Sequence, residues 1–96
     1  FHTDRLGEFA ELACKFTGMD VLQPMNSGAE AVETAIKAAR RWGYDVKKIP
    51  DQKARIIVCE NNFHGRTTTI IGFSADADYR RGFAPFDGGF DIIPFV

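Results

Sequence analysis

Cysteine is nearly missing from this sequence. Cys14 and Cys59 are the only two, far apart, with no CxxC pair and no Cys/His spacing that would hold a metal. A disulfide framework and a zinc site are therefore not expected, and both thiols are read as reduced, buried side chains in a cytosol-like compartment. No stretch approaches the roughly 20 apolar residues of a membrane span, and no charged-then-apolar signal segment opens the chain. Charge of one sign is lacking too. Twelve Lys and Arg stand against 13 Asp and Glu, for a formal net charge of −1, and they are scattered rather than pooled. We expect neither nucleic acid nor a membrane as partner. Internal repeats and low-complexity tracts are absent, as are the Gly-x-Gly-x-x-Gly and Gly-Lys-Ser/Thr signatures of nucleotide loops.

What is present is apolar, and periodic. The 96 residues are 45% hydrophobic, enough for one small core. In DRLGEFAELACKFT, residues 4–17, Leu6, Phe9, Leu12, Ala13 and Phe16 recur at helical spacing, and Gly18 follows as a stop. VLQPMN, 21–26, is short and apolar, and Pro24 restricts it to an edge strand or a bulge. From Ser27 to about Trp42 two stripes are apolar: Val32, Ile36 and Ala39 on one, Ala31, Ala35, Ala38 and Trp42 on the other. This predicts a largely buried helix that stops at Gly43, with a Glu33–Lys37 pair on its polar side. ARIIVCE, 54–60, reads as a buried parallel strand. TTTIIGFS after it is open between strand and short helix, and the Gly-, Pro- and Phe-rich remainder reads as an extended loop closing in a strand at about 91–95. Helix, strand, helix, strand in this order is α/β. The chain opens at Phe1 without an initiator Met and closes on the strand-like IIPFV, so we expect a piece of a longer polypeptide.

Two segments carry chemistry. In MNSGAEAVETA, 25–35, Ser27 and Glu30 make an S-x-x-E capping box, and Gly28 and Ala29 behind the cap would let an anion approach the partial positive charge of the helix start. Capping with nothing bound uses the same residues, and the pattern leaves both readings open. NNFHGRT, 61–67, follows the strand, on the sheet edge where α/β folds gather ligands, so it is expected beside the Ser27–Gly28 turn. Phe63 offers a flat face, His64 a hydrogen-bonding edge, Gly65 close backbone approach and Arg66 a fork for a carboxylate. Each residue alone has an ordinary structural use as well.

Taken together, MNSGAEAVETAIKAARRWGYDVKK, IIVCENNFHGRT and YRRGFAPFDGGFDIIPF, in this order and spacing, strongly resemble the ornithine aminotransferases of the class III pyridoxal-phosphate family. The resemblance covers nearly the whole chain. NSGAEA and FHGRT are similar to acetylornithine and other ω-amino acid aminotransferases as well; RRWGYDVKK and GFDIIPF favour ornithine.

The resemblance implies that residues 1–96 are a fragment of the large cofactor-binding domain of a fold-type-I enzyme, in which a mixed, mostly parallel sheet is flanked by helices. It implies that Ser27, Gly28 and Ala29 hold the phosphate of pyridoxal 5'-phosphate, that Phe63 stacks on the pyridine ring with His64 lining the same pocket, and that Arg66 binds a substrate carboxylate. The implied reaction moves the δ-amino group of ornithine to 2-oxoglutarate, giving glutamate semialdehyde and glutamate, in a homodimer of the bacterial cytoplasm or the mitochondrial matrix. The family's cofactor-linking lysine and the carboxylate facing the pyridine nitrogen have no match here. Lys15, Lys37, Lys47, Lys48 and Lys53 all lie on polar faces or in a polar loop, so no catalytic residue is assigned and the piece alone is expected to be inactive. A non-catalytic binding domain on the same scaffold is the alternative of a different class.

Overall fold

The apolar stripe near the start of the chain forms helix α1 (Leu6–Thr17) in the computed structural model, which describes residues 4–96. Gly18 ends it as expected. It turns left-handed at φ 75° and its N–H donates to the Cys14 carbonyl at 2.9 Å, a closure that a Cβ would strain. Residues 21–26 form no strand.

Helix α2 (Gly28–Asp45) runs past its expected stop. Gly43 is buried inside it because the following loop folds back on that face: Ile49 N–H donates to the Gly43 carbonyl at 3.0 Å, and a Cβ on Gly43 would lie 3.1 Å from Ile49 Cδ1. Close packing, not termination, accounts for this glycine.

Strands β1 (Ile56–Cys59) and β2 (Phe90–Ile93) pair in parallel, with Ile56 opposite Phe90 and Cys59 opposite Ile93. Bonds from Ile56 N–H to Gly89 O and from Glu60 N–H to Ile93 O, both 2.8 Å, close the two ends of the pair. The fold is thus α/β, a two-stranded parallel sheet with helices. The ambiguous TTTIIGFS segment resolves into a 3-10 turn, Ile70–Phe73. A short helix, α3 (Ala77–Arg80), interrupts what reads as extended loop; the Asp76 carboxylate caps it by accepting from Asp78 N–H at 2.9 Å.

Ile36 of α2 packs with Ile70 and Phe73 of the 3-10 turn, and Ala29, Val32, Ile56, Val58 and Phe90 close around them. The Phe73 and Phe90 rings meet at 4.5 Å between centroids. Helix and sheet are therefore joined through the 3-10 turn.

The expectation that α2 is largely buried fails on one side. On the first stripe Val32 and Ile36 pack inward but Ala39 is exposed, and on the second Ala31, Ala35, Ala38 and Trp42 are exposed, Trp42 at 54%. A helix buries only a face that meets another element, and no described element lies against this one. The same holds for α1, where Phe16 is 89% exposed and no residue is buried. Cys14 and Cys59 are free, as expected, but only part-buried. The Glu33–Lys37 pair is not formed, since Glu33 instead accepts a hydrogen bond from Thr67.

Across the sheet edge the Arg55 guanidinium grips Asp91 with two bonds of 2.7 Å. These bonds hold the Asp91 carboxyl below its usual range and raise Arg55. A depressed carboxyl contributes stability above its unfolded pKa of about 4 and loses it as pH falls through the lower folded value. Both side chains are half-exposed, so the effect is small. In the full-length protein, Asp91→Asn should lower Tm at neutral pH, with the gap to wild type closing in acid; a gap independent of pH would refute the assignment.

Candidate functional site

The site begins at the cap of α2. Ser27 is extended (φ −150°, ψ 166°), and its Oγ accepts from Glu30 N–H and donates to Glu30 Oε2, each at 3.2 Å. Ala31 N–H goes to the Ser27 carbonyl at 3.0 Å. Gly28 and Ala29 occupy the first two helical positions, whose N–H groups have no intrahelical acceptor. A Cβ built on Gly28 meets nothing within 4 Å, so the helix start is open above two free donors and the positive end of the dipole.

The second element is the loop that leaves β1. Asn61 adopts a left-handed conformation (φ 59°), which asparagine tolerates, and turns the chain out of the strand. Asn62 then pins the turn by donating through Nδ2 to Cys59 O at 2.6 Å and Phe73 O at 3.1 Å. Gly65, at φ 117°, brings its backbone so close to α2 that a Cβ would sit 2.8 Å from Ala29 Cβ.

The two elements enclose one cavity of about 360 Å³, lined by Gly28, Ala29, Val32, Phe63, His64 and Gly65. Two of the three predicted phosphate-cradle residues and both predicted ring-pocket residues therefore meet. Ser27 caps beside it and does not line it. The Phe63 ring is 60% exposed, which leaves apolar surface for a flat ligand, and its edge-tilted neighbour is Tyr79 at 5.9 Å. His64 is exposed, with its ring 6.0 Å from that of Phe73. All five lysines are exposed, and none lines this cavity.

Arg66 points elsewhere. It lines an adjoining cavity of about 640 Å³ with Thr68, Ile71, Asp78, Tyr79 and Phe83. Its guanidinium lies 5.9 Å from the Phe63 centroid and 5.6 Å from the Tyr79 centroid, and it has no ion pair among the described residues. A fork supported on aromatic faces, with its charge unspent, suits an incoming carboxylate. Arg66 thus faces separate space, although its guanidinium lies over the Phe63 ring that lines the first cavity.

Sequence reasoning missed five contributors. Tyr79 lies in the Gly- and Phe-rich segment, where no periodicity marks it. Asn61 and Asn62 carried a turn signal, a polar pair directly after a strand. Glu33 and Thr67 join the two elements, and nothing local announces such a pairing.

Comparison with known proteins adds to this geometry. The family model for class-III aminotransferases matches residues 1–96. The ornithine aminotransferase of Brevibacillus brevis is 61% identical over 95 residues, which cover 99% of this chain and 24% of that protein. The crystal structure of ornithine aminotransferase from Toxoplasma gondii superposes with a TM-score of 0.89 at 41% identity, over 99% of this chain and 23% of its own. That of acetylornithine aminotransferase from Elizabethkingia anophelis superposes with a TM-score of 0.64 at 55% identity, over 99% and 22%. The chain thus spans about a quarter of the length of the curated relative.

The Gly65 contact yields a prediction. Gly65→Ala adds both a Cβ clash with Ala29 and an unfavourable backbone conformation, so it should destabilise the full-length protein by about 1–3 kcal/mol. Chemical denaturation measures this, and an unchanged midpoint would mean that the loop does not press on the helix.

Proposed function

Because the chain belongs to the class-III aminotransferase family, we propose that the protein carrying it is a pyridoxal 5'-phosphate-dependent aminotransferase that moves the δ-amino group of ornithine to 2-oxoglutarate, yielding glutamate semialdehyde and glutamate. Residues 1–96 are then part of its cofactor-binding domain. The observation that carries this reading is the convergence of an open helix start and an exposed aromatic face on one cavity, with an unpaired arginine fork beside it.

The residues fit the cofactor. Gly28 and Ala29 N–H groups would hold a dianionic phosphate, with Ser27 fixing the helix start as its cap while its hydroxyl proton goes to Glu30, and the missing Cβ at Gly28 leaves it room. The Phe63 ring would cover a flat pyridine, and His64 would line the pocket beside it. Arg66, held over Phe63 and Tyr79, would take a carboxylate of ornithine or of the keto acid. When bound, the cofactor supplies the electron sink for the carbon from which the amino group departs. This chain's own share is to bind and orient, since its lysines are exposed and lie away from the cavity. The exposed apolar face of α1 supports a homodimer or cover by the rest of the polypeptide. A bacterial cytoplasm or mitochondrial matrix agrees with two free cysteines.

Acetylornithine is the second reading for the amino donor, favoured by the 55% identity to the Elizabethkingia enzyme. Absorption spectra of the full-length protein with pyridoxal phosphate separate the two. Ornithine, added without keto acid, should abolish the visible band of the bound cofactor, while acetylornithine should leave it. Bleaching by acetylornithine alone would transfer the assignment, and absence of any cofactor band would favour a binding domain on a reused scaffold. Arg66→Ala should cost about 2–5 kcal/mol in kcat/KM and leave cofactor affinity nearly intact. Equal loss of bound cofactor would move Arg66 to the cofactor side.

A further inference from the structure

We propose that Glu33 and Thr67 form a clamp that holds the ring-bearing loop against the start of α2, and that both act as positioning residues for the cofactor pocket and for Arg66. The inference rests on the cofactor reading of the cavity given above. Thr67 Oγ1 donates to Glu33 Oε1 across 34 positions of sequence, and both side chains are part-buried. Among the described residues this is the only hydrogen bond between α2 and residues 61–67. The same hydroxyl accepts from Ile70 N–H at 3.1 Å, and the Thr67 carbonyl accepts from Ile71 N–H at 2.9 Å. Thr67 therefore ends the loop, opens the 3-10 turn and reaches the helix at once.

The geometry explains why a polar bond is needed here. Gly65 against Ala29 is a van der Waals wall: it limits how near the loop comes, yet resists neither sliding nor lifting. A hydrogen bond to a carboxylate is directional and stronger than a neutral one, and partial burial protects it from water. Arg66 sits between these two fixed points. With Gly65 pressed on the helix and Thr67 tied to it, the backbone of Arg66 is held from both sides, which directs its side chain over Phe63 and Tyr79. The alternative partner for Glu33, Lys37 one turn on, stays exposed and does not compete.

The test uses the full-length protein in the variants Thr67→Val, Glu33→Leu, both together, and the bond-keeping Thr67→Ser and Glu33→Gln. Two quantities are read: amide hydrogen exchange of residues 61–67 in cofactor-free protein, and the Kd for pyridoxal phosphate by absorbance titration. Losing a charge-assisted bond should speed exchange and raise Kd by about tenfold in either single variant. The double variant should be no worse than Thr67→Val, because the Thr67–Glu33 bond lost in Glu33→Leu is already lost there together with the acceptor of Ile70 N–H; Thr67→Ser should stay within about twofold of wild type, and Glu33→Gln, which keeps a neutral bond, should fall between wild type and Glu33→Leu. Unchanged exchange in Thr67→Val, additive losses in the double variant, or faster exchange with unchanged Kd would each overturn the proposal. If Glu33→Leu fails to fold, Glu33→Ala takes its place, since Thr67→Val also removes the acceptor of Ile70 N–H. A wild-type protein that takes up no pyridoxal phosphate overturns the functional reading instead, and is told apart because exchange is measured without cofactor.

Discussion

The approach of Gly65 to Ala29 is the contact on which the rest of this structure depends. It brings a loop leaving a strand onto the first turn of a helix, and every candidate binding residue lies on one of those two pieces. The contact needs glycine twice, once because a Cβ would collide and once because φ is 117°. Behind it the buried side chains of Ile36, Ile70 and Phe73 fill the space between helix, turn and sheet. In front of it a cavity stays open. An apolar wedge behind and polar donors facing forward are what a binding site on an α/β edge requires, since the donors must remain unpaired until a ligand arrives.

The same frame explains the division of roles between neighbouring residues. Phe63, His64 and Gly65 border the space above the helix start, whereas Arg66, the next residue, opens into a second cavity beside Tyr79. Phe63 lines the first and Tyr79 the second, their rings 5.9 Å apart, and the guanidinium lies over both rings. A flat ligand on one side and a carboxylate on the other would then be held by adjacent residues of one short loop. This arrangement fits the amino-group transfer proposed above, in which substrate and cofactor must meet in fixed orientation. Much apolar surface is left uncovered on α1 and on the outer stripe of α2, and the chain spans about a quarter of its curated relative.

Much of the fold was legible in local pattern. The stripe of α1, the left-handed glycine closing it, the Ser27 cap and the apolar β1 run all follow from neighbours within one or two turns, where propensity and periodicity act directly. Gly43 was misread for the complementary reason. A glycine signals a helix end only if nothing packs on it, and Ile49, six residues on in a polar loop, does so here. Helix α3 was hidden by a Gly- and Phe-rich context, and Glu33 was assigned to Lys37 because an i,i+4 partner is visible in sequence while Thr67 is not.

By itself the sequence determined the chemical inventory: which residues can cap, stack, pair with a carboxylate or permit close approach, and that NSGAEA and FHGRT occur in the order this family uses. These properties belong to side chains and to short spacings, so they survive without a fold. Only the tertiary structure decided that Gly28, Ala29, Phe63 and His64 share one cavity, that Arg66 opens into another, and that Glu33 reaches Thr67 rather than Lys37. The first and last of those relations span more than 30 residues, and all three depend on how helix, turn and sheet pack, which periodicity along the chain does not encode.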